Sequence, residues 1–266
     1  MKKVLYFFLY LTLYQHMSIR IIPKDRQAKG AFNSGEIIEN KPIGFPREGG
    51  ELKPYSNLFY WAYAEAKTDS TIGLHPHEGF EIISFVLKGK IRHYDTKLKE
   101  WRPLMAGDVQ IIRAGNGISH AEFMAKDAAM FQIWFDPDLS KTLQKLASYD
   151  DYKSEDLPVE NNNGFSIKTY IGAGSPVTLD TPGLVIRRFS FANGNHEIEL
   201  NTDKVHSLYV IAGAPSINGQ RTNQDDFVIL EQEEKLQLAA DTSTDVFIIS
   251  SPAVVPYRTY AKMFSK

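Results

Sequence analysis

Residues 73–81 read Gly-Leu-His-Pro-His-Glu-Gly-Phe-Glu, and residues 114–122 read Ala-Gly-Asn-Gly-Ile-Ser-His-Ala-Glu. Together they hold three of the seven histidines in the chain. In an extended strand, side chains two positions apart point to the same face. His75 and His77 therefore project together, and so do His120 and Glu122. If the two segments lie on neighbouring strands, three imidazoles and one carboxylate converge. A lone His-x-His is a weak signal, because surface histidines often recur that way. Two such pairs that meet make a candidate metal site: His75, His77, His120 and Glu122. This donor set takes Fe(II), Mn(II), Ni(II), Cu(II) or Zn(II) and selects poorly among them. It leaves room on the ion for water, substrate or dioxygen.

Working outward, short apolar runs recur between turn signals. Glu81–Leu87 turns at Lys88-Gly89-Lys90 into Ile91–Tyr94, and Trp101–Met105 turns at Ala106-Gly107-Asp108 into Val109–Arg113. Ala128–Phe135 follows, and strand signals resume at Phe165–Ile171, Leu184–Phe191, His196–Leu200, Val205–Ile211, Phe227–Leu230, Lys235–Leu238 and Val246–Ser250. Such spacing predicts an all-β sandwich or barrel. Asn218-Gly219 and Asn193-Gly194 both read as two-residue turns. Leu139, Leu143, Leu146 and Ala147 fall at helical spacing behind Asp138, a good N-cap, so a helix is expected within 138–152. The polar stretch 153–164, with Pro158 and Asn161-Asn162-Asn163-Gly164, reads as a linker. The expected division is a metal-binding unit over 17–140, a helix and linker over 141–164, and a second β unit over 165–266.

Composition narrows the chemistry. The 266 residues include no cysteine, which removes disulfides, thiolate-ligated zinc, iron–sulfur clusters and thiol nucleophiles. Any metal must sit on nitrogen and oxygen. With 30 Lys+Arg against 32 Asp+Glu the chain lacks the basic surplus of a nucleic-acid binder. Eighteen Gly, 13 Pro, 16 Phe and 13 Tyr suit turns and strands.

The motifs at 73–81 and 114–122, with Val86-Leu87-Lys88-Gly89, Ala106-Gly107-Asp108-Val109-Gln110 and Phe131-Gln132-Ile133-Trp134-Phe135, resemble the pirin family, bicupins of the cupin superfamily. The resemblance is specific over roughly 30–140 and weaker over 165–255. It implies two consecutive jelly-roll barrels, the second without metal ligands. It also implies that His75, His77, His120 and Glu122 ligate one divalent ion, in the family usually Fe(II), with Mn, Ni, Co, Cu and Zn as the other candidates. Several members resemble quercetin 2,3-dioxygenases, which open the central flavonol ring with O2 and release carbon monoxide. The resemblance thus implies a flavonol-like substrate, with Glu122 as ligand or general base. Glu78, where a basic residue is common, and Ala121, where Ser is common, depart from the family pattern and put the substrate in question rather than the metal.

Other residues receive plainer readings. Phe80, Phe85, Phe123, Phe131 and Trp134 are candidates for an aromatic pocket wall, but ordinary core is the favoured reading of each. His93 and Asp95 read as strand surface or a buried hydrogen bond. His196 and His206 stand alone and read as structural. Glu81 is a lesser candidate for a ligand or a ligand's partner. Gly115 and Gly117 read as a turn before a ligand strand, because no P-loop lysine follows. Arg92, Arg102 and Arg113 lie near the motifs in sequence and would matter for a carboxylate substrate.

Residues 1–16, MKKVLYFFLYLTLYQH, fit three readings: a start placed before the true one at Met17, an export signal or anchor, or a structural strand. The run from Val4 to Tyr14, eleven residues broken only by Thr12, is too short to span a bilayer as a helix, which takes ~20. The expectation is a cytoplasmic monomer without membrane or nucleic-acid partner, exported only if residues 1–16 are a genuine signal. Three functions compete: the dioxygenase, a non-catalytic metal- or redox-sensing protein that binds a partner, and a cupin of another activity such as an isomerase or thiol dioxygenase.

Overall fold

The computed structural model describes residues 18–264, so the readings of residues 1–16 lie outside it. The first half runs β1 (Ser18–Ile22), β2 (Ala28–Phe32), β3 (Ile37–Ile43), β4 (Leu58–Ala66), β5 (Ser70–His77), β6 (Glu81–Lys88), β7 (Lys90–Asp95), β8 (Trp101–Met105), β9 (Val109–Arg113), β10 (Ile118–Met124) and β11 (Ala129–Phe135). A single helical turn, α1 (Leu139–Thr142), leads to β12 (Ser148–Tyr152) and β13 (Val159–Asn162). The second half runs β14 (Phe165–Ile171), β15 (Val185–Phe191), β16 (Gly194–Glu199), β17 (Lys204–Ala212), β18 (Ser216–Ile217), β19 (Gln220–Arg221), β20 (Phe227–Glu231), β21 (Lys235–Ala240), β22 (Thr244–Pro252) and α2 (Tyr260–Phe264).

Strand order reveals a repeat. The first half has a large sheet containing β9-β6-β11-β4 and a small sheet β5-β10-β7-β8. In the second half the orders are β20-β17-β22-β15 and β16-β21-β18-β19. The two halves are the same two-sheet cup, strand for strand, which is the expected bicupin. All the ladders are antiparallel, as hairpin and Greek-key connections allow.

Side-chain parity explains why the large-sheet strands read as continuous apolar runs. On β11, Phe131, Ile133 and Phe135 face outward from the cup, while Met130, Gln132 and Trp134 face inward. Both faces are covered, so little solvent-side alternation remains. The outward faces of the two large sheets share one core. Trp61 meets Phe227 at 5.1 Å and Phe247 at 5.6 Å between ring centroids, and Phe131 meets Tyr209 at 4.9 Å.

Several local expectations change. The helix is one turn long, capped by the Asp138 side chain accepting from Ser140 N. Leu143 and Leu146 are exposed, so the apolar spacing beyond that turn reflects no buried helix face. Residues 148–152 instead extend as β12, paired with β9 of the first large sheet. Residues 159–162 of the supposed linker form β13, paired with β14. At the other end, β1 leaves the first half and pairs with β20 in the second large sheet. Asn218 and Gly219 both have positive φ and close the β18–β19 hairpin. Asn193-Gly194 is no hairpin, because β15 and β16 on either side belong to different sheets. No helix among the described residues is long and apolar enough to cross a membrane.

Candidate metal centre

The metal motif depends on an irregularity in β5. His75 lies opposite His120, but Ile72 lies opposite Glu122, so three steps on β5 match two on β10. The extra residue is absorbed at Gly73-Leu74, and Leu74 is pushed out to 57% exposure. This β-bulge carries the inward face from even positions, Ser70 and Ile72, to odd ones, His75 and His77. Without an extra residue, side chains facing the same way as Ile72 would be 74 and 76.

Three rings converge at this point. His120 Nε2 lies 2.9 Å from His77 Nε2 and 3.0 Å from His75 Nε2. A neutral imidazole has one ring proton, so His120 Nε2 can donate to one neighbour at most. His75 Nδ1 lies 2.7 Å from the Gly73 carbonyl and must donate to it, which leaves a lone pair on His75 Nε2. Burial, then His75, pushes His77 down to about 3. Burial, then His77, His75 and His93, pushes His120 well below its ordinary value. Converging neutral imidazoles cannot all be joined by protons, but they are the donor form a metal takes. Cis ligands ~2.1 Å from a six-coordinate ion lie about 3.0 Å apart, which matches the observed spacing. The residues present therefore fit a divalent transition ion.

Glu122 is fully buried on the same face of β10 as His120. It is not gathered with the rings: the mutual group of donor atoms within 4.8 Å comprises His75, His77 and His120. Its Oε1 accepts from Ser84 Oγ at 3.0 Å and Gln110 Nε2 at 3.3 Å, and its Oε2 accepts from Gln132 Nε2 at 2.5 Å. These three partners were missed in the sequence reading. A signal existed, because each is a single polar residue inside an apolar strand, at Ile83-Ser84-Phe85, Val109-Gln110-Ile111 and Phe131-Gln132-Ile133.

Gln132 links the carboxylate to the aromatic wall. Trp134 Nε1 donates to Gln132 Oε1 at 3.3 Å, and the indole meets His77 edge-on with centroids 4.8 Å apart. Phe80 packs on Trp134 at 5.7 Å. Of the expected wall residues, Phe80 and Trp134 are placed here. Phe85 and Phe131 lie in the core between the large sheets, and Phe123 lies under the Arg92 guanidinium. Phe45, Phe59 and Tyr60 complete the wall, and α2 closes over it through Tyr260 against Phe59 and Phe80.

His93 is more than strand surface. It is fully buried, bonded through Nε2 to Asp95 at 2.8 Å, and stacked on Tyr149 at 4.4 Å. Its ring lies 5.6 Å from that of His120, so the His93–Asp95 pair backs the histidine cluster. Glu81 belongs elsewhere. It accepts from Asp180 N, Thr181 N and Thr181 Oγ1 at 2.7, 2.8 and 2.5 Å, tying β6 to the loop before β15. The three arginines are likewise engaged away from the centre. Arg92 lies over Trp101 and Phe123, Arg102 pairs with Glu100, and Arg113 pairs with Asp150. Gly115, with φ +51°, sits where a Cβ would lie 2.6 Å from the Lys145 carbonyl, as a tight turn requires. Beside His77, a cavity of about 450 Å³ opens between Glu78, Thr96 and Gly117–Ser119.

The family model described as Pirin matches residues 48–135, which span β4 through β11 and all four sequence-derived site residues. Pirin-1 of Arabidopsis thaliana is 35% identical over 118 residues, covering 42% of this chain and 40% of that protein. Quercetin 2,3-dioxygenase of Escherichia coli K12 is 24% identical over 190 residues, covering 68% of this chain and 77% of that one. Among solved structures, the bacterial pirin YhhW of Escherichia coli in complex with nickel(II) superposes with a TM-score of 0.74 at 19% identity, over 89% of this chain and all of that one. The motifs, the paired cups and the matched domain agree: residues 48–135 form a Pirin domain within a bicupin fold.

Proposed function

We propose that the protein is a metal-dependent dioxygenase of the quercetin 2,3-dioxygenase type, with Fe(II) as its ion. On this reading it opens the central ring of a flavonol-like aromatic with O2 and releases carbon monoxide. The observation that carries the reading is the convergence of His75, His77 and His120 through Nε2 next to the aromatic wall of Trp134 and Phe80. Support for the substrate class comes from the relative named quercetin 2,3-dioxygenase.

The bound ion would act as a Lewis acid that lowers the pKa of the substrate hydroxyl. The chain's own groups do the rest. His75, His77 and His120 would hold the ion through Nε2. Trp134, edge-on to His77, keeps water from one flank of that ring. Glu122 takes the hydroxyl proton on Oε2 by exchanging its Gln132 bond for one to the substrate, while Ser84 and Gln110 hold Oε1. In this role Glu122 is a base rather than a ligand.

The test is oxygen uptake and carbon monoxide release with quercetin, on protein loaded in turn with Fe(II), Mn(II), Ni(II), Co(II) and Cu(II). Turnover with at least one ion, abolished by Glu122→Gln with metal retained, is expected. Absence of turnover with every ion would contradict the reading and favour a metal-sensing, partner-binding role.

A further inference from the structure

The second cup carries a cavity where the first carries its metal centre. In the strand-for-strand repeat, β16 stands where β5 stands, and β15, β17 and β22 stand where β4, β6 and β11 stand. The inward side chains at this end differ in kind. Ile198, from β16, and Leu200, just after it, are apolar and pack on the second cup's core. Between them and the large sheet lies a cavity of about 250 Å³.

Its apolar wall is formed by Phe189, Ile198 and Ile248, and its polar end by Arg187 and Lys204. The guanidinium of Arg187 has no carboxylate partner among the described residues, and its buried Nε has no hydrogen-bond partner. Neighbouring Arg188, on the opposite strand face, is matched to Asp245 at 2.7 Å. Lys204 donates to the Gly183 carbonyl at 2.8 Å. Glu199, the acidic residue at the rim, is 78% exposed and turned to Lys235 at 3.5 Å. His206 closes the polar end in a fixed neutral form. Its Nε2 donates to the Asn201 carbonyl at 3.0 Å, so its Nδ1 accepts from Ser250 Oγ at 2.8 Å.

We propose that this cavity binds a small organic carboxylate, with its carboxylate on Arg187 and Lys204 and an aromatic or branched apolar body against Phe189, Ile198 and Ile248. Two like charges brought together in a half-buried cavity repel each other until an anion lies between them. Burial and Arg187 together push Lys204 below its ordinary value, the direction an anion would reverse. Arg187 offers a planar donor fork suited to a carboxylate. The apolar wall distinguishes an organic acid from an inorganic anion, and a cavity at the small end of ligand pockets limits it to one ring or a short branched chain.

Calorimetric titration of the full chain with benzoate at low ionic strength tests this, with benzamide as the neutral isostere and inorganic phosphate as the anion without a body. Benzoate is expected to bind one per chain with a Kd of roughly 1 mM or tighter. Benzamide and phosphate are expected to bind much more weakly. Arg187→Gln should weaken benzoate about tenfold or more, and Lys204→Gln should weaken it independently of any folding defect at position 187. A His75→Ala/His120→Ala variant should bind as the wild type does. No heat with the wild type, phosphate binding as tight as benzoate, unchanged affinity in both cation variants, or loss confined to the histidine variant would each overturn the proposal.

Discussion

At the scale of single residues, the decisive feature is which nitrogens keep their lone pairs. His75 gives its Nδ1 proton to Gly73, and His77 and His120 are held neutral by burial. The convergence of the three histidines was legible in the sequence because period two is enough to pair His75 with His77 and His120 with Glu122. The hydrogen bonds that occupy Glu122 were not, because Ser84, Gln110 and Gln132 reach it from three different strands. His206 in the second cup offers a residue-scale prediction about pH. Burial lowers its pKa from the ordinary 6.5, so below that value the unfolded chain takes up a proton that the folded one does not. Its contribution to stability is therefore complete above pH 6.5 and is lost as the pH falls, by up to ~1.4 kcal/mol per pH unit. Urea unfolding of metal-free protein at pH 7.5 and 5.5 should show a smaller difference for His206→Gln than for the wild type.

Among the elements, β5 and β6 show how one strand order serves two ends. The bulge at Gly73-Leu74 turns two histidines into the cup. Four residues beyond His77, Glu81 opens β6 on the other face and latches onto Asp180 and Thr181. Sequence spacing made Glu81 resemble a ligand, because distance along the chain does not show the change of face between strands. Glu81→Ala leaves two backbone amides without acceptors and should cost about 3 kcal/mol of stability. It should leave metal content at the wild-type value, measured on the same preparation. A fall in metal content would mean that Glu81 supports the centre. The helix expected within 138–152 stops after one turn for a related reason. Leucine spacing suggested a buried face, but β9 offers an open edge that captures 148–152 as a strand.

For the whole molecule, the two cups are joined through their backs. β1 crosses into the second large sheet and β12 completes the first. The boundaries drawn at 140 and 165 could not show this exchange, since strand pairing across the chain leaves no local signature. The aromatic positions of the shared core were legible as apolar, but their partners were not. Trp61→Ala removes a fully buried ring that contacts both halves and should cost about 3–5 kcal/mol. Near-ultraviolet and far-ultraviolet unfolding curves should shift together; two separated transitions would show that the halves fold independently.

The central claim is that the first cup holds a metal on three imidazoles, and elemental analysis of protein purified without added metal tests it most directly. The account predicts about one first-row transition ion per chain in the wild type and little in folded His120→Ala protein. Equal metal content in the two proteins, or a wild type that stays metal-free when incubated with Fe(II), Ni(II) or Zn(II), would contradict it.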